Sequence, residues 1–211
     1  WSGTSARVTR ALRLLEEHTE QPISQIAERI GVSARYLHKL ITDNIGLSPQ
    51  KYRRYSQALF AKQLLQQTNL SMSEVALACG LNSARRLQSL CQQVLAKTPT
   101  ELRVRKTGAN HRDIRVFLSY RPPYDWPSVQ AFLARRQVEC VETISQNRVS
   151  KTFIIDGESG RFIATHCPQK HGFDVSIQVS NLAILRTVIA NITRVLDLRA
   201  DPLMTETALL N

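Results

Sequence analysis

The sequence has little of what several protein classes require. Its four cysteines, Cys79, Cys91, Cys140 and Cys167, show no CxxC spacing, so a disulfide-stapled secreted fold is excluded and reduced thiols are expected. The longest stretches without charge are 11 residues long, whereas a membrane-spanning helix needs about 20 apolar residues. Apolar residues make up 43% of the chain, which excludes disorder as its main state. We therefore expect two folded domains of about 100 residues each.

The beginning of the chain lacks the features of a targeting segment. The first residues, Trp-Ser-Gly-Thr, contain no Met, and neither a basic segment nor an apolar segment follows them. A signal peptide needs both segments, so none is predicted here. We expect Trp1 to be an internal edge of a longer protein.

Acidic residues are scarce in the first half of the chain. Residues 1–112 contain 17 Lys and Arg against 7 Asp and Glu, a net charge of +10, whereas residues 113–211 have a net charge of +1. Such asymmetry is typical of a domain that contacts a polyanion, with nucleic acid as the first candidate and an acidic membrane surface as the second. A basic, solvated surface would explain the charge equally well, so charge alone does not decide the partner.

Apolar spacing at the start of the chain predicts three helices with short turns between them. A stripe covers residues 5–18, a second helix runs from Ile23 to Ile30 and stops at Gly31, and Ser33 caps a third. The third helix has an apolar inner face of Leu37, Leu40 and Ile41. Two helices joined by a glycine-containing turn of this length are typical of a helix-turn-helix unit.

The same pattern repeats after a long helix predicted from Ser48 to Gln67. A capping box over Ser71–Glu74 starts one helix, and Ser83 caps the next. A further capping box over Thr98–Glu101 predicts a last basic helix from Leu102 to Lys106. The long helix would measure about 28 Å, close to the roughly 34 Å between successive major grooves on one side of DNA. One rigid helix could therefore place two recognition helices near adjacent grooves, with a slight bend of the DNA.

The outer faces of the two predicted recognition helices supply the candidate DNA contacts. The residues expected to read base edges are Ala34, Arg35, His38, Lys39, Arg85, Arg86, Gln88 and Ser89. The residues expected to contact phosphates are Ser33, Lys51, Arg53, Arg54, Ser83, Arg103 and Arg105. Each could instead be a solvated polar side chain, and the motif context favours DNA contact.

The residues of the first half resemble an AraC-type DNA-binding domain. The resemblance covers roughly residues 5–106 and rests on four stretches: Ile26–Leu37, Gly46–Pro49, Ala61–Leu65 and Glu74–Gly80. It implies seven helices that carry two helix-turn-helix units.

Departures from the AraC-type pattern lie mostly in the second unit. Leu81, Leu87 and Cys91 stand where the family usually has Phe, and Ala96 stands where it usually has Gly. Leucine conserves much of the buried volume, but Cys91 leaves a smaller core, and Ala96 adopts a positive φ less easily than Gly.

The second half predicts an α+β domain. Alternating apolar positions predict strands around 114–118, 138–144, 148–155, 161–166 and 173–179, with helices over 126–136 and 182–196. Asp156-Gly157 is a hairpin signal between two of the strands. This order is typical of an antiparallel sheet with helices on one face.

This second half resembles the N-terminal domain of AlkA-type 3-methyladenine DNA glycosylases. The resemblance covers residues 113–202 and rests on Arg121–Trp126, Phe132–Arg136, Val141–Ile144 and Arg194–Pro202, with Cys140 where Gly is usual. It implies a small sheet similar to that of the TATA-binding protein. In that family the helix-hairpin-helix motif and the catalytic Asp lie in a later domain. Residues 203–211 would then begin a catalytic domain, and 108–112 would be a linker after a DNA-binding domain over 1–107.

No constellation of residues in the sequence predicts catalysis or a cofactor. The cluster His166, Cys167 and His171 lacks a second paired set, so an exposed His at a strand end is favoured over a metal site. The paired resemblances imply part of an adaptive-response protein of the bacterial cytoplasm and nucleoid, with promoter DNA and RNA polymerase as partners and neither membrane nor small-molecule ligand. Two hypotheses stay open: a sequence-specific regulator, or a repair enzyme whose helix-turn-helix domain is a DNA tether.

Overall fold

The computed structural model describes residues 4–104 and 114–200, which divide into two compact units. The first unit consists of residues up to Gln66 together with Ser71–Val104. The second contains the sheet and its helices. The predicted linker at 108–112 and the predicted boundaries at 107, 113 and 202 lie outside the described residues, so they stay predictions.

The first unit is built from helices. The helices are α1 (Thr4–Glu17), α2 (Ile23–Arg29), α3 (Ala34–Ile45), α4 (Pro49–Gln67), α5 (Met72–Ala78), α6 (Ala84–Leu95) and α7 (Pro99–Leu102). The seven elements and the capping boxes at Ser71 and Thr98 confirm the sequence prediction. A core of α1, α2 and α3 forms around Leu15, Ile26 and Leu37, and Tyr52 of α4 packs against it.

Two glycine turns precede the two predicted recognition helices. Gly31 has φ +73° and Gly80 has φ +70°, a left-handed conformation that glycine adopts without cost. The positions after these helices differ, because α3 ends at Gly46 with φ +75° and α6 ends at Ala96 with φ +53°. Ala96 therefore adopts the positive φ for which the resemblance implies a glycine.

The last helix of this unit lies earlier in the sequence than predicted. α7 ends at Leu102, and Arg103 already has an extended conformation, so the prediction of a basic helix from Leu102 to Lys106 is wrong at Arg103 and Val104. The Val104 N–H donates to the Leu65 carbonyl of α4 at 3.3 Å, which directs the chain away from the helical path. Lys106 lies outside the described residues.

The second unit contains a five-stranded antiparallel sheet. Its strands are β1 (Ile114–Ser119), β2 (Glu142–Ser145), β3 (Arg148–Ile155), β4 (Glu158–Cys167) and β5 (Gly172–Val179), in the order β1-β5-β4-β3-β2. The helices are α8 (Trp126–Arg135) and α9 (Leu185–Val195). This arrangement confirms the predicted α+β class.

One face of the sheet forms the core of the second unit. Val116, Phe162 and Phe173 are buried, and the ring of Trp126 from α8 lies 5.3 Å from that of Phe173. Asp156 and Gly157 both have positive φ in the two-residue turn between β3 and β4, as a type I′ hairpin requires. The alternating burial of β1 and β5 follows from the period of two along a strand.

The strand predicted around 138–144 begins later than expected. β2 covers only Glu142–Ser145, because the preceding residues form a turn in which the Glu142 N–H donates to the Val138 carbonyl at 2.9 Å. Cys140 in this turn has φ +64°, a conformation that suits the glycine usual at this position.

Candidate nucleic-acid interface

Both recognition helices begin at a serine that caps them. Ser33 Oγ accepts a hydrogen bond from the Tyr36 N–H at 3.1 Å, and Ser83 Oγ accepts one from the Arg86 N–H at 3.3 Å. Each serine satisfies a backbone donor that the first turn of a helix leaves unpaired. The remaining N–H groups at each start, with the positive end of the helix dipole, favour an anion there. Ser33 and Ser83 thus lie where a phosphate would be stabilised.

The two helices present polar outer faces. In α3 the residues Leu37, Leu40 and Ile41 are buried, and in α6 the residues Leu87, Leu90 and Cys91 are buried. The exposed residues opposite them include all eight predicted base-reading residues. These exposed residues are Ala34, Arg35, His38, Lys39, Arg85, Arg86, Gln88 and Ser89. The structure confirms their outward placement, and their contacts with bases stay a prediction.

One hydroxyl on this surface is already engaged. Ser89 Oγ donates to the carbonyl of Arg85 at 3.1 Å, one helical turn earlier. In this rotamer the hydroxyl oxygen can still accept a hydrogen bond, so Ser89 suits a donor group on a base edge better than an acceptor.

The residues predicted to contact phosphates differ in their surroundings. Lys51 is exposed in the first turn of α4, where its N–H donates to Ser48 Oγ at 3.3 Å. Arg54 is exposed too, and its guanidinium donates to Gln93 Oε1 of α6. Arg105 lies outside the described residues. Lys51 is therefore the cation of this set whose surroundings fit a phosphate contact best.

Two arginines of the same set are partly buried within the helical unit. Burial lowers the pKa of Arg53, and the negative charge of Glu20 opposes that effect. Its Nε and Nη2 atoms are buried and lack a hydrogen-bond partner. Burial also lowers the pKa of Arg103, whose Nη2 lies 3.7 Å from Met72 Sδ. Both guanidinium groups are therefore partly withdrawn from solvent, a placement that sequence spacing does not reveal.

Sequence reasoning missed two exposed side chains on the same surfaces. Gln92 is exposed on α6, and it follows Gln88 and Ser89 by four and three residues, so it shares their face. Tyr36 is 43% exposed beside Arg35 on α3. Helical periodicity could have identified Gln92, whereas the exposure of an aromatic residue needs the packed structure.

The second unit carries a cluster of aromatic rings beside His166. Tyr120 and Tyr124 stack with centroids 4.2 Å apart, and Tyr120 Oη lies 3.0 Å from His166 Nε2. Burial lowers the pKa of His166. This histidine is half-buried among rings, so the expectation of an exposed strand-end histidine is wrong for His166, whereas His171 is exposed. Its hydrogen bond and packing indicate a structural role.

The described residues contain neither a metal-binding cluster nor a membrane-spanning helix. No group of three or more His, Cys, Asp or Glu among residues 4–104 and 114–200 could bind a metal ion. No helix in the part of the chain that the structure describes is long and apolar enough to cross a bilayer. The candidate binding surface is formed by α3 and α6, two serine-capped helices with polar, basic outer faces. Together they define the class: a DNA-binding protein with two helix-turn-helix units.

Comparison with protein families identifies both halves. Residues 26–105 match a helix-turn-helix domain, and residues 115–211 match the AlkA N-terminal domain. The chain therefore combines an AraC-type helix-turn-helix domain with an AlkA N-terminal domain, as the two sequence resemblances predict.

Known relatives divide into those similar to the whole chain and those similar to its first half. The probable bifunctional transcriptional activator/DNA repair enzyme AlkA of Mycobacterium tuberculosis is 27% identical over 210 residues, which are 96% of this chain and 42% of that protein. The transcriptional activator RhaS of Escherichia fergusonii is 29% identical over 103 residues, 48% of this chain and 37% of that protein. The chain thus spans about two fifths of the length of these relatives.

Solved structures similar to this chain cover its helical half. An AraC-type transcriptional regulator from Chromobacterium violaceum is 33% identical, with a TM-score of 0.45, over 49% of this chain and 94% of that one. The DNA-binding domain of AdpA in complex with a target DNA is 26% identical, with a TM-score of 0.41, over 46% of this chain and 86% of that one.

Proposed function

We propose that this chain is the DNA-reading part of a bacterial alkylation-response regulator, in which α3 and α6 enter adjacent major grooves of a promoter. The observation that carries the proposal is the repetition of one device: a glycine turn, a serine cap and a helix with a polar, basic outer face occur twice in one compact unit. A recognition helix needs this arrangement to bring side chains to base edges.

The length of α4 supports simultaneous binding by both helices. Its 19 residues span about 28 Å, compared with roughly 34 Å between successive grooves on one side of the duplex. A modest bend of the DNA would reduce the difference. The charge of +10 in residues 1–112 adds sequence-independent attraction to phosphates. The M. tuberculosis relative, which its name describes as an activator and repair enzyme, supports the alkylation response as the setting.

The same proposal assigns partners, location and limits to the domains. We infer that promoter DNA is the principal partner, that RNA polymerase contacts the complex, and that the protein works at the nucleoid in the bacterial cytoplasm. We place the DNA-binding domain at 1–107 and the AlkA N-terminal domain at 113–202, with a linker between them and the start of a catalytic domain at 203–211. The matched ranges, 26–105 and 115–211, support the order of the two domains and the break between them, whereas the limit at 202 rests on the sequence resemblance alone.

A second function has a specific observation in its favour. The helical unit could serve mainly as a DNA tether for a repair enzyme, because the second helix-turn-helix has the small Cys91 in its core and the left-handed Ala96 after α6. Both features weaken the precision with which α6 would be positioned. Footprinting on alkylation-inducible promoters separates the two functions: a discrete protected site supports the regulator, and diffuse protection supports the tether.

Arg35 supplies the sharpest test of base reading. It is exposed in the first turn of α3, the part of a recognition helix that contacts base edges. We expect Arg35→Ala to lose about 1–3 kcal/mol of binding free energy on the DNA site that the unaltered chain selects from a library of random duplexes, and to relax base preference at one position. Lys51→Ala is the matched control, because loss of a phosphate contact should weaken all sequences alike and lower the salt slope by about one unit.

Titrations on the selected site and on random DNA, at two salt concentrations, distinguish these outcomes. Equal losses of Arg35→Ala on both DNAs would remove Arg35 from the base-reading residues. Arg53 is also predicted to contact a phosphate, and Arg53→Ala in the same titrations tests that prediction.

A further inference from the structure

The two helix-turn-helix units contact each other away from the DNA-facing helices. The loop between α1 and α2 carries Thr19 and Glu20, and it reaches the turn between α5 and α6 at Gly80. A Cβ atom built on Gly80 would lie 2.5 Å from Glu20 Oε1 and 2.7 Å from Thr19 Oγ1. Both distances are shorter than van der Waals contact, so this close approach depends on the absence of a side chain at Gly80.

The equivalent glycine of the first helix-turn-helix, Gly31, has no such neighbour. Gly31 has φ +73°, almost the value of +70° at Gly80, but a Cβ atom there would meet nothing within 4 Å. The conformational requirement for glycine is therefore the same at both turns. Only at Gly80 does glycine also make room for another part of the protein.

The turn at Gly80 is also bound to the long helix α4. The buried side chain of Gln57 donates from Nε2 to the carbonyl of Cys79 at 3.0 Å. One turn earlier on α4, the half-buried guanidinium of Arg53 interacts with the charge of Glu20. Glu20 is largely exposed, yet its carboxylate lies against the Gly80 turn and acts on Arg53. The turn is thus contacted by the loop between α1 and α2 and by α4.

This contact lies directly before a recognition helix. α6 begins at Ala84, four residues after Gly80, so a displacement of the turn would displace the start of α6. We propose that Glu20 is a positioning residue that fixes the spacing at which α3 and α6 meet DNA. It does so by packing the loop between α1 and α2 against the Gly80 turn of the second helix-turn-helix. The inference rests on the proposed function and adds a determinant of half-site spacing to it.

The test measures the cost of altered half-site spacing. The 211-residue chain first selects a bipartite site from a library of random duplexes, and probes with one or two base pairs inserted between the half-sites are then titrated. One inserted base pair moves the second half-site by about 3.4 Å and rotates it by about 34°. We expect the unaltered chain to lose about tenfold or more in affinity per insertion, comparable to losing one base contact.

Variants of the contact should lose this discrimination. In Gly80→Ala the new methyl group displaces the Glu20 carboxylate, and Glu20→Ala removes the side chain that packs against the turn. We expect the insertion penalty to fall below about threefold in both, with the selected site still bound. Gly31→Ala is the matched control, because it adds similar backbone strain without touching another element, and its penalty should equal that of the unaltered chain.

Three results would overturn different parts of the proposal. An unchanged insertion penalty in Gly80→Ala and Glu20→Ala would show that α4 alone sets the spacing, and the role of Glu20 would be rejected. A selection that returned no bipartite site would refute reading by two helices, and with it both the proposed function and this inference. A reduced penalty in Gly31→Ala as well would assign the effect to backbone strain and also reject the role of Glu20.

Discussion

Replacement of Ala96 by glycine should stabilise the helical unit. Ala96 follows α6 with φ +53° and ψ +26°, the left-handed conformation in which a Cβ atom approaches the following carbonyl oxygen. That conformation costs a non-glycine residue about 1–2 kcal/mol, and part of the gain from glycine is offset by about 0.5–1 kcal/mol of extra entropy in the unfolded chain. We expect Ala96→Gly to increase the free energy of unfolding by about 0.5–1 kcal/mol.

The reverse substitution is possible at Gly46, the position after α3 that is equivalent to Ala96 after α6. Gly46 ends α3 with φ +75°, and a Cβ atom there would have no neighbour within 4 Å. Gly46→Ala therefore adds backbone strain without a clash, and we expect it to decrease the free energy of unfolding by about the same 0.5–1 kcal/mol. The pair separates backbone conformation from packing, since neither change removes a buried contact.

Urea unfolding followed by circular dichroism at 222 nm measures both effects. With an m-value of about 1–3 kcal/mol/M, a change of 0.5–1 kcal/mol moves the midpoint by a few tenths of a molar unit, and the melting temperature of a domain of about 100 residues should shift by several degrees. Opposite shifts of similar size are expected. If Ala96→Gly were neutral or destabilising while Gly46→Ala was destabilising, the strain assigned to Ala96 would be refuted.

Three further outcomes are expected. Residues 1–107 alone should keep most of the DNA affinity of the chain, because residues 1–112 carry +10 of the +11 net charge; comparable affinity from residues 113–211 in a filter-binding titration would contradict this. The domain that contains His166 should lose stability as pH falls below about 6.5, because burial lowers its pKa and only the unfolded chain takes up the proton there; urea midpoints between pH 7.5 and 5.5 should show this slope, and His166→Gln should flatten it. Residues 1–211 should release no 3-methyladenine from alkylated DNA, since the resemblance places the catalytic Asp in a later domain; release above a heat-inactivated control would disprove this.

Local sequence signals predicted the elements that depend on local interactions. The caps at Ser33 and Ser83, the capping boxes at Ser71 and Thr98 and the turn at Asp156-Gly157 each involve groups a few residues apart. Their physical basis is complete within a single window of sequence, so the helices and the hairpin were predictable. The outward faces of α3 and α6 followed from the helical period for the same reason.

The errors arose where groups distant in the sequence interact. α7 ends early because the Val104 N–H finds a carbonyl on α4, 39 residues before it in the chain. Arg53 is a cation on a basic helix, which predicts a phosphate contact, but its guanidinium is partly buried and lies near the charge of Glu20, so the contact stays a prediction. No local pattern contains either contact. The candidate site was therefore predictable as a surface, and less so in which of its cations are accessible.

The shared use of α4 has a consequence for recombination between related genes. Its first turns contact the helices before it, since Tyr52 Oη donates to Glu16 Oε1 of α1 at 2.5 Å. Its later turns contact the second helix-turn-helix and the segment after it, because Gln57 donates to the Cys79 carbonyl and the Leu65 carbonyl accepts from the Val104 N–H. A crossover between these positions would exchange whole halves of the DNA-reading unit. Of the contacts described above, those of Arg54 with Gln93 and of Glu20 with the Gly80 turn would then need matched partners. Chimaeras joined between residues 54 and 57 should therefore fold, whereas junctions at either end of α4 would separate the helix from half of its contacts.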